Sequence, residues 1–131
     1  MQEKIAKLKS IKILFVEDEE DLCTIISDTL SKLQANFHTA KNGKVALEKF
    51  KEEGDFDLIV TDINMPVMNG LELIKNIREE LNSDIPIVIM SAHTEPEYIK
   101  SAEELGVKNY LLKPFDFIKF INLVSELEFQ K

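Results

Sequence analysis

Apolar and polar residues alternate along this chain in two rhythms, short solid runs and longer stripes. Ile11-Lys12-Ile13-Leu14-Phe15-Val16, Leu58-Ile59-Val60, Pro86-Ile87-Val88-Ile89-Met90 and Asn109-Tyr110-Leu111-Leu112 are largely apolar runs, and Asn36 to Ala40 is a short, more polar segment read as the second strand. Such runs, flanked by polar turns, read as strands, and Leu58 to Val60 as one buried on both faces. Pro86 is tolerated at the first residue of its strand, where no ladder donor need be lost.

The segments between the runs carry apolar residues at helical spacing. Leu22, Ile25, Ile26, Thr29, Leu30 and Leu33 form one stripe. Ala46, Leu47 and Phe50 form the inner side of a second, ended by Gly54. Leu71, Ile74, Ile77 and Leu81 make a third. Thr94-Glu95-Pro96 is a helix start, and Ile99, Ala102 and Leu105 face inward until Gly106. Phe117, Phe120, Ile121, Val124 and Leu127 make the last. Met1 to Ser10, with Ile5 and Leu8 its large apolar groups, reads as a loose leader or short helical extension. The expectation is a leader at 1–10 and one domain over 11–129. That domain is α/β and doubly wound: a five-stranded parallel sheet joined by right-handed crossovers, with five helices on its two faces.

Composition narrows the partners. A chain of 131 residues fits one domain with a real core. A formal charge of −8 argues against direct nucleic-acid binding, which needs clustered Lys and Arg. The one cysteine, Cys23, cannot form an internal disulfide, which suits a reducing compartment. The first ten residues lack the apolar core of a signal peptide, and no apolar run approaches membrane-spanning length. The expected location is cytoplasmic, without membrane insertion.

In a parallel sheet the strand ends share one edge, where such folds bind ligands. Here they supply Glu17 and Asp18, Asp62, Ser91 and Lys113. Three carboxylates brought together repel one another unless a cation is bound. Oxygen donors without nearby His or Cys favour Mg2+ or Mn2+ over zinc. Carboxylates, a divalent cation, an ammonium and a hydroxyl suit a phosphoryl group. Asp62 can be its nucleophilic acceptor, as in aspartyl-phosphate chemistry, with Glu17 and Asp18 holding the metal. Glu19 to Asp21 read as a solvated helix start that suits the helix dipole. Cys23 and His38 read as structural or incidental.

Taken together, Glu17-Asp18, Thr61-Asp62-Ile63-Asn64-Met65-Pro66 with Gly70, Ser91-Ala92 and Tyr110-Leu111-Leu112-Lys113-Pro114-Phe115 resemble a response-regulator receiver domain of two-component signalling, over roughly Ile11 to Phe129. The flavodoxin-like strand order 2-1-3-4-5 comes with that resemblance, being the known order of the family's chemotaxis member, and is not read from the residues. The resemblance implies that Asp62 accepts phosphate from the phosphohistidine of a sensor histidine kinase or histidine phosphotransfer protein, and that an effector of unspecified kind lies downstream. It implies Mg2+ held by Asp18, Asp62 and the Asn64 backbone carbonyl, with Glu17 assisting through water. Lys113 would pair with the carboxylate and then the phosphoryl oxygen, Ser91 would move toward the phosphate, and Tyr110 would swing inward. It also implies a cis Lys113–Pro114 bond and an influence of Asn64 and His93 on phosphate lifetime. Such a protein catalyses only its own phosphorylation and dephosphorylation.

Three features depart from the family pattern. Glu17 stands where Asp is more frequent, and Ser91 where Thr is equally familiar. Gly106 to Tyr110 lacks the paired acidic residues, and the last helix the arginine, of members that dimerise through the last two helices and strand; this argues against that mode. Other readings stay open. One is a receiver-like interaction module that works without phosphorylation. Another is an aspartyl-phosphate phosphohydrolase, although Asn64 stands where those enzymes place their general acid. A flavodoxin-like electron carrier is disfavoured, because Glu17 to Asp21 would repel a flavin phosphate.

Overall fold

Successive side chains of a strand point to opposite faces, and in this protein both faces are covered. β1 (Lys12–Val16) sends Ile13 and Phe15 into one apolar cluster and Leu14 and Val16 into another. β3 (Leu58–Asp62) and β4 (Ile87–Ser91) divide in the same way. That two-sided burial explains why these segments read as solid apolar runs. The computed structural model describes residues 2–91, 96–113 and 116–129. The Thr94-Glu95 helix start, His93 and the Lys113–Pro114 bond fall on or involve residues outside that set.

With β2 (Asn36–Ala40) and β5 (Asn109–Leu112), the strands form one sheet of order β2-β1-β3-β4-β5, parallel at every pairing. The chain leaves β1 outward to β2 and returns to pair β3 on the other side of β1. The order therefore reverses between β1 and β3, which creates a crevice at their carboxyl ends. Of the described helices, α3 (Gly43–Glu53), α4 (Gly70–Lys75) and α5 (Pro96–Glu104) meet one cluster, through Ala46, Leu73, Ile74 and Ala102. α2 (Glu20–Lys32) and α6 (Phe117–Glu126) cover the other with Ile26, Leu30, Phe120, Ile121 and Val124.

Three local features depart from the sequence reading. Among the described residues there are six α-helices where the domain was expected to have five, because the first ten residues take the second of their two readings and Gln2–Lys9 forms α1. A helix this short is marginal in isolation; this one is held by docking. Leu8 is fully buried in the α2–α6 cluster, Lys4 Nζ donates to Asn122 Oδ1 at 2.7 Å, and Lys7 Nζ donates to the Ser125 carbonyl at 2.9 Å and to the Leu127 carbonyl. Lys7 thereby satisfies carbonyls at the end of α6 and adds charge favourable to its dipole. Second, α4 passes into a π-helical turn, Asn76–Glu80, closed by Leu81 N–H donating to the Asn76 carbonyl at 3.1 Å. In the helix before that turn Leu73 joins Ile74 in the core, with Ile77 inside the turn, while Leu71 and Leu81 are half-buried. Third, Ile25 lies on the α2 stripe yet is 56% exposed, because the sheet contacts a narrower face of that helix than the stripe allows.

Candidate functional site

The crevice between β1 and β3 is lined by acids because both strands end in them. Glu17 follows β1 and continues its ladder, its N–H donating to the Ala40 carbonyl at 3.0 Å. Its side chain turns inward and is 1% exposed. Asp62 is the last residue of β3 and also buried. Its Oδ1 accepts the Ile63 N–H at 2.7 Å, which sets the carboxylate rotamer. Thr61 Oγ1, fully buried, donates to the Asp62 carbonyl at 2.8 Å. The loop beyond closes sharply, with Gly70 N–H donating to the Ile63 carbonyl at 2.8 Å. Asn69 and Glu72 then cap α4 reciprocally, each side chain accepting from the other's backbone N–H.

Lys113 reaches the same point from the end of β5. Its backbone N–H donates to the Ser91 carbonyl at 2.9 Å, extending the β4–β5 pairing by one residue. Its Nζ lies 2.9 Å from Asp62 Oδ2, a hydrogen bond, and 2.7 Å from Glu17 Oε1. Burial by itself would lower the Lys113 ammonium. Hydrogen bonding to Asp62 and contact with Glu17 outweigh it and hold the group above its ordinary value. Burial acts on Glu17 in the other direction and raises its carboxyl to about 7, against the lowering effects of Lys113 and of the Glu19 N–H that donates to Oε2 at 3.2 Å. Glu17 Oε1 has the Lys113 charge beside it but no aligned hydrogen bond.

Glu17, Asp18 and Asp62 each bring one carboxylate oxygen to within 4.8 Å of the others. Three hard oxygen donors, one of them a buried oxygen without a hydrogen bond, fit a divalent cation such as Mg2+ or Mn2+. Asp18, Asp62 and Glu17 are the residues that would hold it.

The remaining predicted residues are placed unequally. Ser91 ends β4 one residue beyond Met90, the register partner of Asp62, so it stands on the same edge. Asn64 is exposed in the bend after β3. Tyr110 is not brought into the acidic cluster: its hydroxyl donates to the Ile99 carbonyl of α5 at 3.2 Å, and its ring packs on the α3–α5 side of the sheet.

One contact and one backbone conformation were invisible in the sequence. Cys23 Sγ donates to the Glu17 carbonyl at 3.1 Å, and burial pushes its thiol up. Val67, 74% exposed, holds φ at +70, a costly conformation for a β-branched residue, in the loop behind Asp62. Neither residue type carries a sequence signal for its role.

Comparison with known proteins places the sequence and the fold in one family. The model of the response regulator receiver domain matches residues 13–125. Chemotaxis protein CheY-3 of Vibrio cholerae is 42% identical over 110 residues, covering 82% of this chain and 83% of that one. The structure of Vibrio cholerae CheY4 at low pH superposes with a TM-score of 0.77 at 32% identity, over 87% of this chain and 98% of that one. The CheX-CheY-BeF3-Mg+2 complex from Borrelia burgdorferi gives a TM-score of 0.78 at 26% identity, over 87% and 86%. The chain belongs to the response regulator receiver domain family.

Proposed function

We propose that this protein is a phosphorylation-operated switch whose Asp62 accepts a phosphoryl group from the phosphohistidine of a sensor histidine kinase or histidine phosphotransfer protein. Receiver domains of two-component signalling are in general switches of this kind. The observation that carries the finer reading is the position of Asp62, its Oδ2 held 2.9 Å from Lys113 Nζ beside two further carboxylates. One Asp62 oxygen would form the bond to phosphorus as the phosphorus–nitrogen bond breaks and the imidazole leaves with the electron pair. Lys113 supplies a fixed positive charge for phosphoryl oxygen, and Ser91, on the same edge, a hydroxyl. Asp18, Asp62, the Asn64 carbonyl and Glu17 would hold Mg2+ or Mn2+. When bound, the ion would reduce repulsion between the anionic acceptor and the anionic donor.

The phosphoryl group adds negative charge and acceptor oxygens at the sheet edge. Lys113 and Ser91 would turn toward it, and Tyr110 would exchange its bond to the Ile99 carbonyl for an inward position, changing the surface beside α5. The Borrelia relative, whose complex holds BeF3, Mg2+ and CheX, supports a metal-assisted phosphoryl site on a protein that also engages a protein partner. The reading has the protein act in the cytoplasm on itself alone, turning over no external phosphoester and making no direct contact with nucleic acid. Among the described residues no helix is long and apolar enough to cross a membrane.

Incubation with a small-molecule phosphodonor and Mg2+, followed by intact mass, tests it. One phosphoryl adduct is expected, lost in Asp62→Asn and with a chelator. No adduct, or one that survives Asp62→Asn, overturns it and favours a receiver-like interaction module.

A further inference from the structure

Away from the acidic crevice, α4 with its π turn and α5 enclose an open groove. Its apolar lining is Leu71 and Leu105, both half-buried at the margin of the core. Its rim carries Glu72, Glu79 and Glu104 against a single Lys75, all exposed. The walls are held at fixed spacing by Arg78. Its Nε donates to the Leu105 carbonyl at 2.7 Å and its Nη1 to the Ser83 carbonyl at 2.9 Å, tying the π turn to the end of α5. Glu79 belongs to that π turn, a distortion that often marks functional positions.

We infer that this groove docks a basic amphipathic helix of a partner protein, about three turns long, with leucine-like anchors over Leu71 and Leu105 and lysine or arginine facing the three glutamates. The charge pattern selects the occupant: three carboxylates against one ammonium attract a cationic face and repel an anionic one. A second copy of this chain does not fit that description. The chain is acidic overall, at −8, and its Lys-rich helix α1 is already committed, with Leu8 buried and Lys4 and Lys7 bonded to α6. Docking here does not depend on the phosphoacceptor role of Asp62, so failure of either reading leaves the other standing.

The test titrates isotope-labelled protein with a synthetic Leu/Lys amphipathic peptide, and with a Leu/Glu peptide of the same pattern, following backbone amide shifts. Expected are shifts centred on Leu71, Lys75, Glu79, Ser101 and Leu105, and affinity about tenfold or more above that of the Leu/Glu peptide. The variant Glu72→Gln/Glu79→Gln/Glu104→Gln keeps the α4 capping pattern, since Gln replaces Glu in a capping box. It should bind the Leu/Lys peptide about tenfold more weakly with an unchanged melting temperature. Shifts centred instead on Glu17, Asp18 and Asp62, or equal binding by the triple variant, overturn the proposal. So do the same groove shifts appearing when the protein alone is concentrated, which would make a second copy the occupant.

Discussion

Gly70 lies directly against the backbone of Asp62: a Cβ at Gly70 would sit 2.1 Å from the Asp62 carbonyl oxygen and 3.0 Å from the Ile63 Cα. The start of α4 is thus pressed against the strand end that carries the phosphoacceptor candidate. No flexible side chain can yield there, so Gly70→Ala must displace either α4 or Asp62. The expected cost is about 2–4 kcal/mol, read by urea denaturation. Gly54→Ala is the control. Gly54 has open space around it but φ +72, and only the backbone penalty of about 1–2 kcal/mol is expected.

Glu17 sets a pH dependence. Its folded pKa, about 7, lies above the ordinary 4.5, because burial disfavours the charged form. Between those values the folded protein holds a proton that the unfolded chain has lost. The stabilisation is therefore complete below about 4.5 and is lost as pH rises through about 7. Lys113, also raised, contributes stability that is constant across this window and lost only in strong alkali. With divalent ions chelated, stability should fall from pH 4.5 to 7, and Glu17→Gln should flatten the slope. Equal slopes in both proteins would contradict the assignment.

Lys113→Met removes the ammonium from between two carboxylates. A stability loss of about 1–3 kcal/mol is expected, less than for a fully buried pair because the lysine side chain keeps 17% exposure. A divalent cation answers the same negative charge. Mg2+ should therefore raise the melting temperature of Lys113→Met by more than it raises that of the parent. Identical increments would show that ammonium and metal do not share the site.

Leu8→Ala deletes a fully buried side chain contributed by α1 and should cost about 2–4 kcal/mol. Lys7→Met removes two hydrogen bonds and a charge at the partly exposed end of α6, with an expected cost of about 1 kcal/mol. Hydrogen exchange should speed first at the last turn of α6. An unchanged α6 in both variants would mean that α1 rests on the domain without supporting it.

The three central strands were legible because each is buried on both faces and so needs nearly every position apolar, whereas β2 and β5, half-exposed at the sheet edges, are more mixed in composition. The site acids were legible because each interrupts such a run at its end, as Val16-Glu17 and Thr61-Asp62 do. α1 was legible only as one of two alternatives, since two apolar residues in a Lys-rich segment give no stripe, and its reason for folding lies on α6. Ile25 was misplaced because periodicity reports which residues share a helix face, not how much of that face the sheet covers. The π turn escaped because the Leu71-Ile74-Ile77-Leu81 spacing suits an unbroken α-helix. Tyr110 was legible as a residue worth naming but not as a hydroxyl bonded to the Ile99 carbonyl.

By itself the sequence determined the layered α/β class, the residue types at each strand end and hence the chemistry available there. Those features are local, written in the period of apolar residues and in what breaks it. Only the tertiary structure decided that Lys113, fifty-one positions beyond Asp62, comes within 2.9 Å of it, and that Glu17 is buried deeply enough for its carboxyl to rise to about 7. It also decided that α1 closes the end of α6 and that α4 and α5 leave an acid-rimmed groove. Each of these depends on distances across the sheet and on exclusion of water. Both arise only when segments remote in sequence pack together.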